Sequence, residues 1–443
     1  MNQKSNNRIG LTMVSLLLVL VVLLAYFGYS YLYLPFYTTS GKMELRRTLL
    51  SSLPKETKEG SFLDRNGSTI LENGIANQEE AESFAWLLGY YRSDASKEYK
   101  QGLRGNLVDY TRLQLDQNKI GASVHLTIDA KLQNLSHDLL NHREGSIIVL
   151  KNSTAEVMAF ASQSTFDFSL NDLSSLSKNT AESSQFHRGV FETDPPGSTF
   201  KVITAISALE NSSSLDLNYL DTGEYIPSDG LSKVVNFQNK SYGSVNLEKA
   251  LNYSINTYFA HLGERLGPTV LEECAHRFLL GKDIEIPFLT TLHSKIQLNG
   301  SSELAASAYG QGKTQMTPFH LAMIAQSLGN QGKMIQPFIV SKIISNQQTL
   351  YHAENKVLST VSSPEVIHKL NPYLQSTARK YGLRGEVYAK TGTAELGNGK
   401  THIYLIAYTP DYSFCISLNN ESNSLQLVPL ANQILKYLKM RSN

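Results

Sequence analysis

The chain has 443 residues, is 41% hydrophobic and 18% charged, and carries a formal net charge of +1. That length allows one large domain beside a small one, and the near-neutral balance gives no support to nucleic-acid binding. Two cysteines far apart, Cys274 and Cys415, and eleven histidines without HExxH or CxxC argue against a disulfide framework and against a metal centre.

Residues 11–34 form an apolar stretch without charge, long enough to cross a bilayer. Lys4 and Arg8 precede it and favour a cytoplasmic N-terminus, although Lys42, Arg46 and Arg47 dilute the asymmetry. No small-residue cleavage site closes a short apolar core, so a retained membrane anchor is expected over 1–34. Residues 35–121 carry few long apolar periods. They suit a small, partly extended pedestal with Trp86, Leu87, Leu88 and Tyr90 as a modest core.

From residue 122 to 443 strands and helices alternate. A helix near 131–140 precedes a hairpin at 145–150 and 156–159. A mostly helical stretch follows over 245–331. Three further strands are expected at 385–391, 402–409 and 413–418, and an amphipathic helix at 427–440 closes the chain. Two early and three late strands imply one antiparallel five-stranded sheet flanked by helices, an α+β fold closed by a long-range return. Polar segments near 174–184, 211–219 and 347–355 read as ordinary connections.

Three short strings fall within this frame. Ser198-Thr199-Phe200-Lys201 follows a turn signal, Asp194-Pro195-Pro196-Gly197, and precedes Val202, Ile203, Ile206 and Leu209 at helical spacing. Ser198 is therefore expected to open a buried amphipathic helix, with Lys201 one turn on and on the same face. A lysine held there, buried and near a helix N-terminus, favours the neutral amine that a general base requires. The same SxxK pattern at Ser52/Lys55 and Ser175/Lys178 lacks this frame. Ser254-Ile255-Asn256 lies between two helical runs and is expected at their break, its hydroxyl relaying protons and its amide holding peptide groups. SxN recurs at Ser5, Ser169, Ser177 and Ser417. Lys390-Thr391-Gly392-Thr393 contains the chain's single KTG and continues a predicted strand. Gly392 is expected to let a substrate backbone lie close, while Lys390, Thr391 and Thr393 bind a carboxylate.

A serine nucleophile, a proton shuttle and a cationic strand, in this order, characterise enzymes that acylate themselves on D-Ala-D-Ala peptides or β-lactams. The chain resembles a class B penicillin-binding protein, a monofunctional peptidoglycan D,D-transpeptidase, from about Gly60 onward. Gly60 to Gly67 resembles a GxIxDRNG signature. Val124 to Asp129 with Gln133 is similar to the LTID…Q start of the transpeptidase domain. Gly310-Gln311-Gly312, Thr317-Pro318, Asn330-Gln331-Gly332 and Pro337 resemble the segment before the last strands. His187-Arg188-Gly189 and His402-Ile403-Tyr404-Leu405 depart from the usual strings at the edges of the site. The resemblance implies a penicillin-binding transpeptidase fold, no cofactor, and an oxyanion hole built from the backbone N–H groups of Ser198 and Thr393. It also implies stem peptides and β-lactams as ligands, a single membrane helix with the catalytic domain outside, and a polytopic lipid-linked glycan polymerase as a partner. Two other readings stay open. One is a D,D-carboxypeptidase or β-lactamase that resolves the acyl-enzyme with water, against which stand the expected anchor and the lack of a Glu-x-x-x-Asn string between the second and third motifs. The other is a non-catalytic β-lactam sensor or scaffold.

Overall fold

The computed structural model describes residues 19–24, 39–77, 81–93, 98–163, 187–397 and 399–441. Its centre is an antiparallel sheet of strands β1 (Gly145–Lys151), β2 (Val157–Gln163), β3 (Tyr388–Glu395), β4 (Thr401–Tyr408) and β5 (Tyr412–Asn419), in the order β3-β4-β5-β1-β2. The early hairpin and the late meander join where β1 pairs with β5, from Gly145 opposite Leu418 to Lys151 opposite Tyr412. A buried Ser146–Ser417 hydroxyl contact of 2.8 Å crosses that seam. The expected five strands and their long-range closure are both present.

Helices cover both faces of this sheet, so its strands are continuous apolar runs whose side chains part alternately to two cores. The helices are α1 (Ala130–Leu140), α2 (Lys201–Glu210), α3 (Leu247–Tyr253), α4 (Asn256–Leu266), α5 (Pro318–Gly329), α6 (Pro364–Tyr381) and α7 (Leu427–Arg441). Ile147, Val149, Ile403 and Leu405 pack with residues of α1 and α7. Ile148, Leu150, Tyr404 and Ile406 face the larger core that holds α2, α4 and α5. Hydrophobic burial on both faces is the main stabilising term, and it fixes the strand register because a one-residue slip would exchange the two faces.

The segment before residue 122 is built into the same body. Phe62–Leu63 pairs in parallel with Val124 and His125, within a six-stranded sheet that also takes in Val340–Ser345 and Gln348–His352. Phe62, Phe84, Leu87 and Leu88 belong to the larger core, while Trp86 and Tyr90 are half-buried. Residues 347–355, expected as a connection, instead hold an edge strand. Asn346 and Gln347 both take positive φ (48° and 63°) and form a two-residue hairpin turn between Ser345 and its partner Gln348. The strand is mostly exposed, so it lacks the apolar alternation that reveals a strand in sequence. Segment 174–184 lies outside the described residues. So does most of the expected membrane stretch, of which residues 19–24 are helical and exposed. Among the described residues no helix is long and apolar enough to cross a membrane. Cys274 and Cys415 are buried and unpaired, as expected.

The outer edge of β2 pairs with backbone of Phe338 and Asp129 and, between them and its end, with a side chain. Buried Gln133 on α1 accepts from the Phe160 N–H (2.7 Å) and donates to the carbonyls of Phe160 (3.0 Å) and Ser83 (2.7 Å). Gln133→Ala leaves the Phe160 N–H and the Ser83 carbonyl without these partners. We expect it to lower the unfolding free energy by about 2–4 kcal/mol in chemical denaturation. A loss below about 0.5 kcal/mol would show that this amide does not hold the sheet edge to the early segment.

Candidate active site

The turn that carries Ser198 is clamped on three sides. Gly197, at φ 57°, donates its N–H to the Gly310 carbonyl (2.8 Å), and Thr199 Oγ1 donates to the Pro196 carbonyl (2.7 Å). Asp194 exchanges backbone hydrogen bonds with Met316 and contacts Nδ1 of His402 on β4 at 3.1 Å. Ser198 lies in a short 3-10 turn, Gly197–Thr199, that runs into α2. The expected helix is there, but it is not amphipathic: every residue from Lys201 to Leu209 is buried. It runs through the middle of the molecule, packed against α4, α6 and the helix Pro268–Arg277, so it has no solvent face.

Lys201 is fully buried, and four oxygens surround its Nζ. They are Ser198 Oγ at 2.8 Å, Ser254 Oγ at 3.1 Å, the Ser254 carbonyl at 2.9 Å and Asn256 Oδ1 at 2.6 Å. The rings of Phe259 and Tyr309 stand 5.6 and 5.9 Å away and keep this environment apolar. Burial, and then the charge of Lys390, push the Lys201 ammonium well below its ordinary range. A neutral amine has two N–H donors and one lone pair. Asn256 Oδ1 and the Ser254 carbonyl take the donors, which leaves the lone pair for the Ser198 hydroxyl. Such an amine can take that proton.

Ser254 sits at the break between α3 and α4, as expected, in a left-handed conformation (φ 54°). That geometry turns its hydroxyl between two lysines. Lys390 Nζ donates to Ser254 Oγ at 3.0 Å from the side opposite Lys201, and also to the Thr391 carbonyl at 3.0 Å. Asn256, the first residue of α4, donates from Nδ2 to the Val235 carbonyl at 3.2 Å. Ser198, Lys201, Ser254, Asn256 and Lys390 thus form one connected group.

Lys390 to Thr393 lie on β3, an edge strand paired on one side with β4. Gly392 is required by the fold itself. A Cβ there would meet the Pro196 carbonyl oxygen at 2.9 Å and the Thr199 backbone nitrogen at 3.1 Å. Its close neighbour within the molecule is therefore the Ser198 turn. Gly197 mirrors this, since its Cβ would lie 2.5 Å from the Thr393 carbonyl oxygen. Gln311 donates to that carbonyl at 3.3 Å.

The alternative strings fall elsewhere. Ser52 is exposed at the end of an early helix, and Ser417 is buried in β5 against Ser146. Ser5, Ser169, Ser175, Ser177 and Lys178 lie outside the described residues. One participant has no sequence signal at all. Tyr381, the last residue of α6, places its hydroxyl 3.3 Å from Lys390 Nζ. A tyrosine nine positions before a lysine marks nothing; only the reversal from α6 into β3 joins them.

Comparison with known proteins follows the same outline. The family model described as the penicillin binding protein transpeptidase domain matches residues 145–436. The peptidoglycan D,D-transpeptidase PbpA of Mycolicibacterium smegmatis is 27% identical over 318 residues, covering 66% of this chain and 65% of that protein. The Bacillus subtilis penicillin-binding protein 3 is 28% identical over 298 residues, covering 64% of this chain and 44% of that one. The chain thus aligns with less than two thirds of these relatives' length. The crystal structure of PBPA from Mycobacterium tuberculosis superposes with a TM-score of 0.77 at 21% identity, covering 86% of this chain and 99% of that one. Its penicillin G acyl-enzyme complex superposes with the same TM-score. The fold is a mixed α+β penicillin-binding protein fold, and the chain belongs to the penicillin-binding protein transpeptidase family.

Proposed function

We propose that this protein is a peptidoglycan D,D-transpeptidase that cross-links stem peptides through a serine acyl-enzyme and is acylated by β-lactams. The observation that carries this reading is Lys201 Nζ, buried and within hydrogen-bond distance of the Ser198, Ser254 and Asn256 side chains at once. Ser198 Oγ attacks the penultimate D-Ala carbonyl as Lys201 takes its proton. The backbone N–H groups of Ser198 and Thr393 hold the developing oxyanion. The C–N bond then breaks, the proton reaches the departing D-Ala amine through Ser254, and the acyl group stays on Ser198. A neighbouring stem's amine reverses these steps and completes the cross-link. Lys390, Thr391 and Thr393 receive the terminal carboxylate, and Asn256 holds the peptide groups. A β-lactam follows the first half, its leaving nitrogen tethered within the adduct.

Among the described residues, no carboxylate lies within hydrogen-bond distance of the Ser198, Lys201, Ser254 or Lys390 side chains. Water therefore has no carboxylate base beside the acyl group, which favours transfer to an amine over the hydrolytic readings. The intact catalytic group disfavours the sensor or scaffold reading. Residues 1–34 are proposed as cytoplasmic tip and single-pass anchor, 35–121 as pedestal and 122–443 as the extracytoplasmic catalytic domain. The anchor would hold the enzyme near a lipid-linked glycan polymerase.

Fluorescent penicillin should label the protein covalently, and Ser198→Ala should give no adduct by intact mass. A stable adduct of the same mass on that variant would sink the assignment. The wild-type adduct should persist for many minutes, and rapid release of hydrolysed drug would favour a β-lactamase.

Acylation should also show an acid limb. Lys201 works as the neutral amine, so the rate falls as pH drops through its lowered pKa and the amine gains a proton. Lys390→Ala removes the neighbouring charge that repels this proton, so the limb should move to higher pH. The same change should slow acylation about tenfold or more, at least roughly 1.4 kcal/mol. Second-order acylation constants across pH measure both, and an unmoved limb would uncouple the two lysines.

A chain starting at Pro35 should fold and bind penicillin yet fail to replace the full-length protein in cells. Full complementation would show that residues 1–34 are dispensable.

A further inference from the structure

Lys390 has three N–H donors, and each has a partner in the molecule. Ser254 Oγ and the Thr391 carbonyl take two at 3.0 Å, and the Tyr381 hydroxyl takes the third at 3.3 Å. Helix α6 delivers this phenol. It ends at Tyr381, and Gly382 reverses the chain in a left-handed conformation (φ 89°) with its N–H on the Ala378 and Arg379 carbonyls. The ring packs against the apolar core on the α1–α7 side of the sheet, so its position does not depend on substrate. Burial alone would push the phenol up. The charge of Lys390 and its hydrogen bond outweigh it, and the phenol is held below its ordinary value. Its oxygen is an acceptor for the Lys390 ammonium.

That ammonium belongs to a residue that receives the substrate's carboxylate in the reading above, on which this inference rests. We propose that Tyr381 is a positioning residue for carboxylate recognition, fixing the Lys390 ammonium through its phenol oxygen. With its donors engaged, Lys390 meets the carboxylate chiefly through its charge, held at one place between Ser254 and β3. Thr393 is half-buried on the same strand, and its hydroxyl has no partner among the described residues. It is then the direct donor to the carboxylate. Without the phenol oxygen, the ammonium regains a torsional choice. Acylation of carboxylate-bearing ligands should suffer, whereas the Ser198–Lys201 chemistry should not.

The test compares full-length wild type and Tyr381→Phe, which deletes one oxygen, against benzylpenicillin and its methyl ester. The ester keeps the reactive lactam and masks the carboxylate. Tyr381→Phe should slow acylation by benzylpenicillin about tenfold, a range set by hydrogen bonds to charged groups, and leave the slow reaction of the ester within about twofold. Equal slowing of both ligands would mean a general structural effect and overturn the proposal. So would no slowing of either. If wild type reacts with neither ligand at Ser198, the transpeptidase reading fails and this inference with it. Failure of the inference alone instead shows as normal wild-type acylation without ligand selectivity in the variant. Should Tyr381→Phe not fold by thermal unfolding, 4-aminophenylalanine at 381 keeps the ring and fills the oxygen's place with an uncharged, poorer acceptor. It should give a smaller loss confined to benzylpenicillin, and wild-type rates with that ligand would overturn the proposal equally.

Discussion

Two lysines share one serine hydroxyl, at 3.1 Å from Lys201 and 3.0 Å from Lys390. Two full ammonium groups in so dry a place would repel strongly, so one must lose its proton. Lys201 is the one that yields, pushed down by its burial and by the charge of Lys390, whereas Lys390, equally buried, lies against the Tyr381 phenol. Much of the surrounding architecture maintains this asymmetry. The buried helix keeps water from Lys201. The edge strand brings Lys390 in from the other side, and the left-handed break at Ser254 supplies the hydroxyl between them.

The same crowding accounts for two glycines. Gly197 and Gly392 lie where the Ser198 turn meets β3, and a methyl group on either would strike the opposite segment, at Thr393 for Gly197 and at Pro196 and Thr199 for Gly392. In sequence they look like loop and strand punctuation. In the fold they set how closely the serine can stand to the cationic strand. The hydrogen bond from Gly197 to Gly310 extends the clamp to a third segment.

What the sequence disclosed follows from which interactions are local. Ser198 and Lys201 are one turn apart, Ser254 and Asn256 flank one helix break, and Lys390 to Thr393 occupy one strand, so each string reveals its part. The central sheet was equally legible, since runs such as Ile147 to Leu150 and Ile403 to Ala407 are buried on both faces. The hairpin at Gln348–His352 escaped notice because an exposed edge strand leaves no hydrophobic alternation. The full burial of α2 was hidden because Thr204 and Ser207 look like solvent positions, yet both are buried and Thr204 bonds the Ala308 carbonyl. Tyr381 was invisible for a different reason. Its partner is brought to it only by tertiary packing.

The seam between β1 and β5 has a consequence for how the molecule comes into being. The early hairpin is made near the start of the catalytic domain, but the strand that completes it lies some 270 residues later, as Ser146 against Ser417 marks. During synthesis the inner edge of β1 must therefore wait, apolar on both faces and with its backbone groups unsatisfied, until almost the whole chain has emerged. So many distant pairings make for slow folding, and the waiting edge is a template for unwanted association. Lys390 arrives with the three late strands of the five. Helix α2 can thus form before the charge that suppresses the Lys201 proton is in place, and the connected group of polar side chains is completed only with the closing strands.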